Sequence, residues 1–193
     1  MHSNLINHLS QIADLDGEEI ELIKTSFKPL SLPKGSFFLR EGEVAKHVGF
    51  LQKGLVRYFV YKNDEESTFE FTKEGEFIAD YDSFRNHKVS VQNIEAIEDC
   101  ELLVINFQDV QTIFNTTKNG NLIGRHIIEH RFDVMVNQLL AVYMQNHEER
   151  YNQFISQYSD LTQRIPQYLI ASFVGVKPPS LSRIRRRFAK NIS

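Results

Sequence analysis

Cysteine is almost absent from this 193-residue chain, where Cys100 stands alone. One thiol cannot close an intrachain disulfide, and a four-cysteine zinc or iron–sulfur site is excluded. Long apolar runs are missing too. No stretch reaches the ~18 apolar residues of a membrane span. Met1-His2-Ser3-Asn4 has no basic region leading into an apolar one, so no signal peptide is expected. Internal repeats and low-complexity segments are absent. The seven histidines include no His-x-His pair, which a metal-binding cupin enzyme would want together with an acid on neighbouring strands. These absences lead to the expectation of a cytoplasmic globular protein that needs no cofactor and no membrane. The last absence is local. From Leu161 to Ser193 there is no acidic residue, while Arg164, Lys177, Arg183, Arg185, Arg186, Arg187 and Lys190 are all basic. With a net charge of −3 for the whole chain, the first 160 residues carry −10. An acidic body with a basic tail suits a polyanion partner for the tail alone, although a solvated basic terminus carries the same charge.

What is present is ordinary in bulk, with 41% apolar and 24% charged residues, and patterned in detail. Residues 3–27 read as helical, with Asp16 and Glu19 spaced as a capping box and Ile20, Ile23 and Phe27 at helical intervals. From Pro33 the texture becomes short runs rich in Val, Ile, Phe and Tyr: Ser36–Arg40, His47–Gln52, Leu55–Tyr61, Ser67–Thr72, Val89–Ile97 and Glu101–Asn106. Gly42, Gly54, Gly75 and polar turns separate them. Thr68 to Thr72 alternates strictly, as a half-buried strand should. Six or more short strands so arranged predict a sandwich or jelly roll. Helical spacing returns in Asp109–Asn115 and over about Asn121–His147. In the longer segment Ile128, Phe132, Met135, Leu139 and Val142 step by 4, 3, 4 and 3, an a/d seam. Further apolar residues widen that surface, so the helix needs more than one neighbour. The expected neighbours are the β body and a second copy of the helix, although a helix buried within a monomer would read the same way. Two further helices follow, His147–Gln157 and one starting near Pro166 at a first-turn position.

Tyr168 to Phe188 reads as a helix, a tight turn and a second helix. Such a motif needs a small residue where the helices cross, supplied by Ala171, and a turn residue free to adopt positive φ, supplied by Gly175. The second helix must send apolar residues back to the first, which Leu181, Ile184 and Phe188 do toward Ile170, Val174 and Val176. Its outward face then carries Ser180, Ser182, Arg183, Arg186 and Arg187. In a helix-turn-helix that face enters the major groove. Arg183 is assigned to a guanine edge, where two hydrogen bonds give roughly 1–3 kcal/mol of discrimination. Ser180 suits a base or phosphate, and Lys177, Arg186, Arg187 and Lys190 suit phosphates, which position without reading sequence. Arg185 is expected to pack its stem and reach out with its head. Pro178 and Pro179 pre-set the first turn of the second helix.

The whole order resembles the Crp/Fnr family of transcription regulators. The resemblance rests on Gly35–Glu43, Gly54-Leu55-Val56-Arg57, Gly75-Glu76-Phe77-Ile78, Ile170–Val176 and Ser180–Arg185. It implies an α+β fold: an N-terminal cyclic-nucleotide-binding-like jelly roll (residues 1–119), a long dimerisation helix (120–147) and a C-terminal all-α helix-turn-helix domain (148–193). It also implies a homodimer on double-stranded DNA, contact with RNA polymerase and a small-molecule effector of unknown identity. In the family the residue at Arg183 reads a guanine. The two other usual base readers, an arginine and a glutamate, fall on Pro178 and Pro179. The family's cassette for a cyclic phosphate places Gly-Glu-Leu where this chain has Ala79-Asp80-Tyr81, and an Arg-Ser or Arg-Thr pair where it has Val89-Ser90. A buried phosphate without its arginine would be costly, so tight cyclic AMP binding is not expected. An effector in the jelly roll would be lined by Tyr58, Phe69, Phe71, Asp80 and Tyr81. Haem sensing stays open, since single histidines such as His47 or His87 speak for neither outcome.

Two other readings stand beside this one. One is a dimeric ligand-binding module without sequence-specific DNA binding. The other is a zinc enzyme, because His126, Glu129 and His130 match the H-x-x-E-H pattern with both histidines on one helical face. No acidic residue is obviously placed as a third ligand, and the expectation is that the protein is not an enzyme.

Overall fold

The computed structural model describes residues 2–192, and the side chains of 2–188. In chain order the elements are α1 (Ser3–Ser10), α2 (Gly17–Ser26), β1 (Lys28–Leu32), β2 (Phe37–Leu39), β3 (His47–Lys53), β4 (Val56–Lys62), β5 (Glu65–Thr72) and β6 (Phe77–Ile78). Then come α3 (Tyr81–Asn86), β7 (Asn93–Ala96), β8 (Cys100–Asn106), α4 (Phe107–Thr116), α5 (Gly120–Met144), α6 (His147–Gln157), α7 (Gln167–Val174) and α8 (Pro178–Ile192). Contacts divide the chain into two compact units. The first is Met1–Val60 with Phe71–Phe132, and the second is Tyr61–Glu70 with Asp133–Ser193.

The strands form two four-stranded antiparallel sheets, ordered β1-β8-β3-β6 and β2-β7-β4-β5, a jelly-roll arrangement whose β4–β5 tip, Tyr61–Glu70, belongs to the second unit. Short strands broken by turn residues cannot bury a face alone, so the sheets stack. β3 and β8 pair with Phe50 opposite Leu103 and Val48 opposite Ile105. Phe50, Leu103 and Ile105 then share a core with Leu5 and Leu9 of α1, Ile23 of α2, Phe27, Ile113 of α4 and Ile123 of α5. Helices therefore cover one face of the first sheet.

The capping box at Asp16 forms, with Glu19 N–H donating to Asp16 and Asp16 N–H to Glu19. Glu19 does more than cap. Its buried carboxylate also accepts from the backbone N–H (2.7 Å) and the side-chain amide (2.9 Å) of Asn119, just before α5. Burial pushes the Glu19 pKa up, but the Asn119 and Asp16 N–H groups outweigh it and hold the carboxyl below its usual range. Helical spacing over residues 3–27 is realised as two helices rather than one, because Asp16 restarts the chain in an extended conformation.

The alternation at Thr68–Thr72 is half right. Thr68, Glu70 and Thr72, read as the solvent side, are buried along with Phe71, so both faces of that strand are covered. Sequence periodicity also passed over β1, β6 and α3, which are short or carry mixed residues. The long helix ends at Met144 rather than near His147. Asn146 caps the next helix, its side chain accepting from the N–H groups of Glu148 and Glu149 while Glu149 accepts from Asn146 N–H. Pro166 is the N-cap of α7, one position before its first turn.

The second unit is a small helical bundle joined by the outer part of the β4–β5 hairpin. Its core holds Tyr151, Phe154, Tyr158, Leu161, Ile165, Leu169, Ile170, Ala171, Val174, Leu181 and Ile184, all buried. Among the described residues no helix is long and apolar enough to cross a membrane.

Candidate nucleic-acid interface

The helix-turn-helix spans α7, a turn at Gly175–Lys177, and α8. Gly175 ends α7 in the left-handed region at φ +82°. There its N–H donates to the carbonyls of Ala171 (3.0 Å) and Ser172 (3.1 Å), and Val176 N–H also reaches Ala171 (2.9 Å). Carbonyls that a helix end leaves without partners are thus satisfied. Two carbonyls just before the turn are held from α6, which sequence spacing did not reveal. Arg150 Nη2 donates to Phe173 O at 2.7 Å, and His147 Nδ1 lies 3.2 Å from Val174 O. Burial lowers the Arg150 pKa from its ordinary value. A Cβ on Gly175 would sit 3.1 Å from Arg150 Nη1, so the glycine serves both the turn and this brace.

Ala171 is 1% exposed at the helix crossing, against Leu181 at 2% and Ile184 at 5%. The aromatic rings of α6 fill the remaining side of the bundle, with Phe154 against Phe173 (5.5 Å between centroids) and Tyr151 against Phe188 (5.5 Å). With its apolar stripe so placed, α8 must turn its polar stripe outward. Lys177, Ser182, Arg183, Arg186 and Arg187 are exposed and Ser180 is half-exposed. Pro178 and Pro179 open the helix, where a missing N–H leaves no helical bond broken.

Several of these cations already have neighbours. Arg183 Nη2 donates to Ser180 Oγ at 3.0 Å, one turn back. Arg187 Nη1 pairs with Glu148 of α6 at 2.6 Å, and Lys177 Nζ with Glu65 at 2.5 Å. Arg185 is exposed and donates to Gln167. The Lys190 side chain lies outside the described residues. Lys177, Ser180, Arg183, Ile184, Arg186 and Arg187 line one open cleft with Asn146, His147 and Glu148, a lining that does not include Ser182.

The candidate effector residues are placed differently. Asp80 is buried and caps α3, with Oδ1 accepting from Ser83 N–H (3.1 Å) and Oδ2 from the Ser90 hydroxyl (2.7 Å). Ser83 Oγ in turn donates to Lys88 O and accepts from Ala45 N–H. Tyr58 is buried and its hydroxyl accepts from Ala79 N–H at 3.0 Å. Phe71 is buried, while Tyr81 is 38% exposed with its ring beside Phe84. Phe69 is half-buried in the second unit. Asp80 and Ser90 are therefore bonded to each other, and the Asp80 carboxylate itself occupies the start of α3. The ion pair between buried Arg57 and half-buried Glu95 of the same unit was not foreseen. Arg57 on β4 meets Glu95 on β7 at 2.5 Å across a register that sets them side by side, with Arg57 also over the Phe59 ring at 4.1 Å.

On α5 the seam Ile128, Phe132, Met135, Leu139 and Val142 is exposed along its length, from 41% to 62%. His126 and His130 lie on the same helix, and among the described residues no group of three or more His, Cys, Asp or Glu side chains is arranged to hold a metal. Cys100 is buried, and burial pushes its thiol pKa up to about 11.

Residues 29–117 match the family model of the cyclic nucleotide-binding domain. No curated protein matches the chain in sequence. Among solved structures, the chain is similar to the c-di-GMP-responsive global regulator CLP of Xanthomonas campestris. That match has 16% identity and a TM-score of 0.69, and it covers 91% of this chain and 93% of that one. It is also similar to a crp/fnr-family regulator from Eubacterium rectale (17% identity, TM-score 0.69, covering 96% and 88%). The catabolite activator protein of Thermus thermophilus is a further match (19% identity, TM-score 0.59, covering 95% and 87%).

Proposed function

We propose, for a chain with the Crp/Fnr fold and a cyclic-nucleotide-binding-family domain at residues 29–117, that it is a homodimeric cytoplasmic transcription regulator. One observation carries the reading. The buried Ala171, Leu181 and Ile184, with the turn at Gly175, leave Ser180, Ser182, Arg183, Arg186 and Arg187 on a single outward face of α8. Arg183 reads a guanine, Ser180 and Ser182 contact base or backbone, and Lys177, Arg186, Arg187 and Lys190 hold phosphates. The exposed α5 seam supports pairing with a second copy, which would set two recognition helices about 34–36 Å apart for successive major grooves. The domain scheme of residues 1–119, 120–147 and 148–193 assigns sensing, dimerisation and DNA binding in that order. A signal felt at the β domain would shift the paired long helices and re-aim the two recognition helices, with RNA polymerase as a further partner.

The effector is a small molecule other than cyclic AMP, facing Tyr58, Phe71, Asp80 and Tyr81 of the first unit. An anion entering at Asp80 would meet a carboxylate already bonded to Ser83 and Ser90, a like-charge contact in a poorly solvated place. Fluorescence anisotropy against a promoter library tests the DNA-binding claim. Specific binding should weaken steeply with salt and be abolished by Arg183→Ala. Undiminished specific binding by that variant would contradict the assignment.

A further inference from the structure

Lys177 stands in the turn before α8, on the surface proposed to meet DNA, yet its ammonium is paired with Glu65 at 2.5 Å. Glu65 begins β5, at the tip of the β4–β5 hairpin. The tip sequence Asn63-Asp64-Glu65-Glu66 carries three carboxylates in a row. Asn63 and Asp64 make the reversal with φ of 52° and 61°, as a tight two-residue hairpin turn requires.

The hairpin is held to the helix-turn-helix by a second, independent contact. β5 ends the sheet order β2-β7-β4-β5, so it is an edge strand. Glu66 and Thr68 are two apart and point the same way from that edge. Ser172 of α7 meets both: its hydroxyl donates to Glu66 O (2.9 Å) and accepts from Thr68 N–H (2.9 Å). One side chain of the first helix therefore closes two edge groups, and the docking brings Glu65 within reach of Lys177.

We propose that the acidic hairpin tip competes with DNA phosphate for Lys177, so that Glu65 holds down the DNA affinity of the resting protein. The inference rests on the DNA-binding reading above. In the docked arrangement Lys177 has traded a mobile counterion for a fixed carboxylate, and a phosphate arriving there must displace it. The carboxylate left behind then faces the phosphate with like charge. Any effector that loosened the hairpin would release the lysine and raise affinity without altering a single base contact.

Because phosphate contacts are independent of base sequence, a fluorescein-labelled duplex of random sequence is a sufficient probe, read by anisotropy across a salt series. Glu65→Gln should bind two- to fivefold more tightly than wild type, the change that an exposed ion pair of up to about 1 kcal/mol amounts to. Its log–log salt slope should steepen by about one counterion. Glu65 is 67% exposed at its side chain, so the substitution leaves the fold intact. Lys177→Ala should weaken binding, and adding Glu65→Gln to it should change nothing more. Asp64→Asn, which removes the same charge one residue away, should leave affinity at the wild-type value. The competition is overturned if Glu65→Gln binds no better than wild type. It is equally overturned if the gain persists in the Lys177→Ala background or if Asp64→Asn reproduces it. No binding by wild type and all variants at low salt would overturn the DNA-binding reading together with this one.

Discussion

Phe132 offers the sharpest measure of the proposed dimer. Fully burying a phenylalanine is worth about 1.5–3 kcal/mol. Phe132 is 62% exposed in the single chain, so covering what remains supplies roughly 1–2 kcal/mol per side chain. A two-fold seam uses the residue twice, and Phe132→Ala should therefore cost about 2–4 kcal/mol of association free energy. At about 1.4 kcal/mol per decade this raises the dimer dissociation constant roughly 30- to 1000-fold. Sedimentation velocity over a dilution series reads it directly. Wild type should run at twice the 22.5 kDa chain mass at micromolar concentration, and Phe132→Ala should dissociate at concentrations where wild type stays paired. Val91→Ser, which removes a still more exposed apolar residue from a loop (74% exposed), should dissociate over the same range as wild type. A monomeric wild type, or a Phe132→Ala dimer as tight as the parent, would refute the seam.

Three further outcomes follow from local geometry. Gly175→Ala places a side chain at φ +82° against Arg150 and should cost about 1–2 kcal/mol, read as a lower unfolding temperature and weaker DNA binding; unchanged stability would contradict the strained turn. Glu19→Gln should destabilise the protein by about 1–2 kcal/mol at neutral pH. Because the folded-state pKa is lowered, that contribution is full above the ordinary value of 4.5 and disappears as pH falls through the folded value. Denaturant midpoints of wild type and variant should therefore converge on the acid side of 4.5, and a pH-independent gap would refute the assignment. Cys100, with its thiol raised to about 11 by burial, should resist iodoacetamide at pH 8 in the native protein and react once unfolded; fast native alkylation would contradict its burial.

The helix-turn-helix was legible because its demands are local and steric. A small residue at 171, a positive φ at 175 and apolar residues at 181 and 184 fix one geometry, and all four are found as required. The jelly roll was legible from strand count but less so in detail. Periodicity assumes one dry face and one wet face, which fails for β5, where Thr68, Glu70 and Thr72 are buried. Contacts distant in sequence were invisible: Arg57 to Glu95, Arg150 to Phe173 and Ser172 to Thr68 join residues 23 to 104 positions apart. Nothing local announces such pairs. Capping announced itself at Asp16, whereas Asn146, whose cap both starts α6 and stops the preceding helix, was not read from the sequence.

The central claim is that two copies of α8 read DNA together, and selection from a random duplex library by the purified protein tests it most directly. The expected result is a two-fold symmetric motif whose half-sites are centred one helical turn apart, about 10–10.5 bp, with a guanine position that loses its preference in Arg183→Ala. Recovery of duplexes with no common motif, or of one unsymmetrical site indifferent to Arg183, would contradict it.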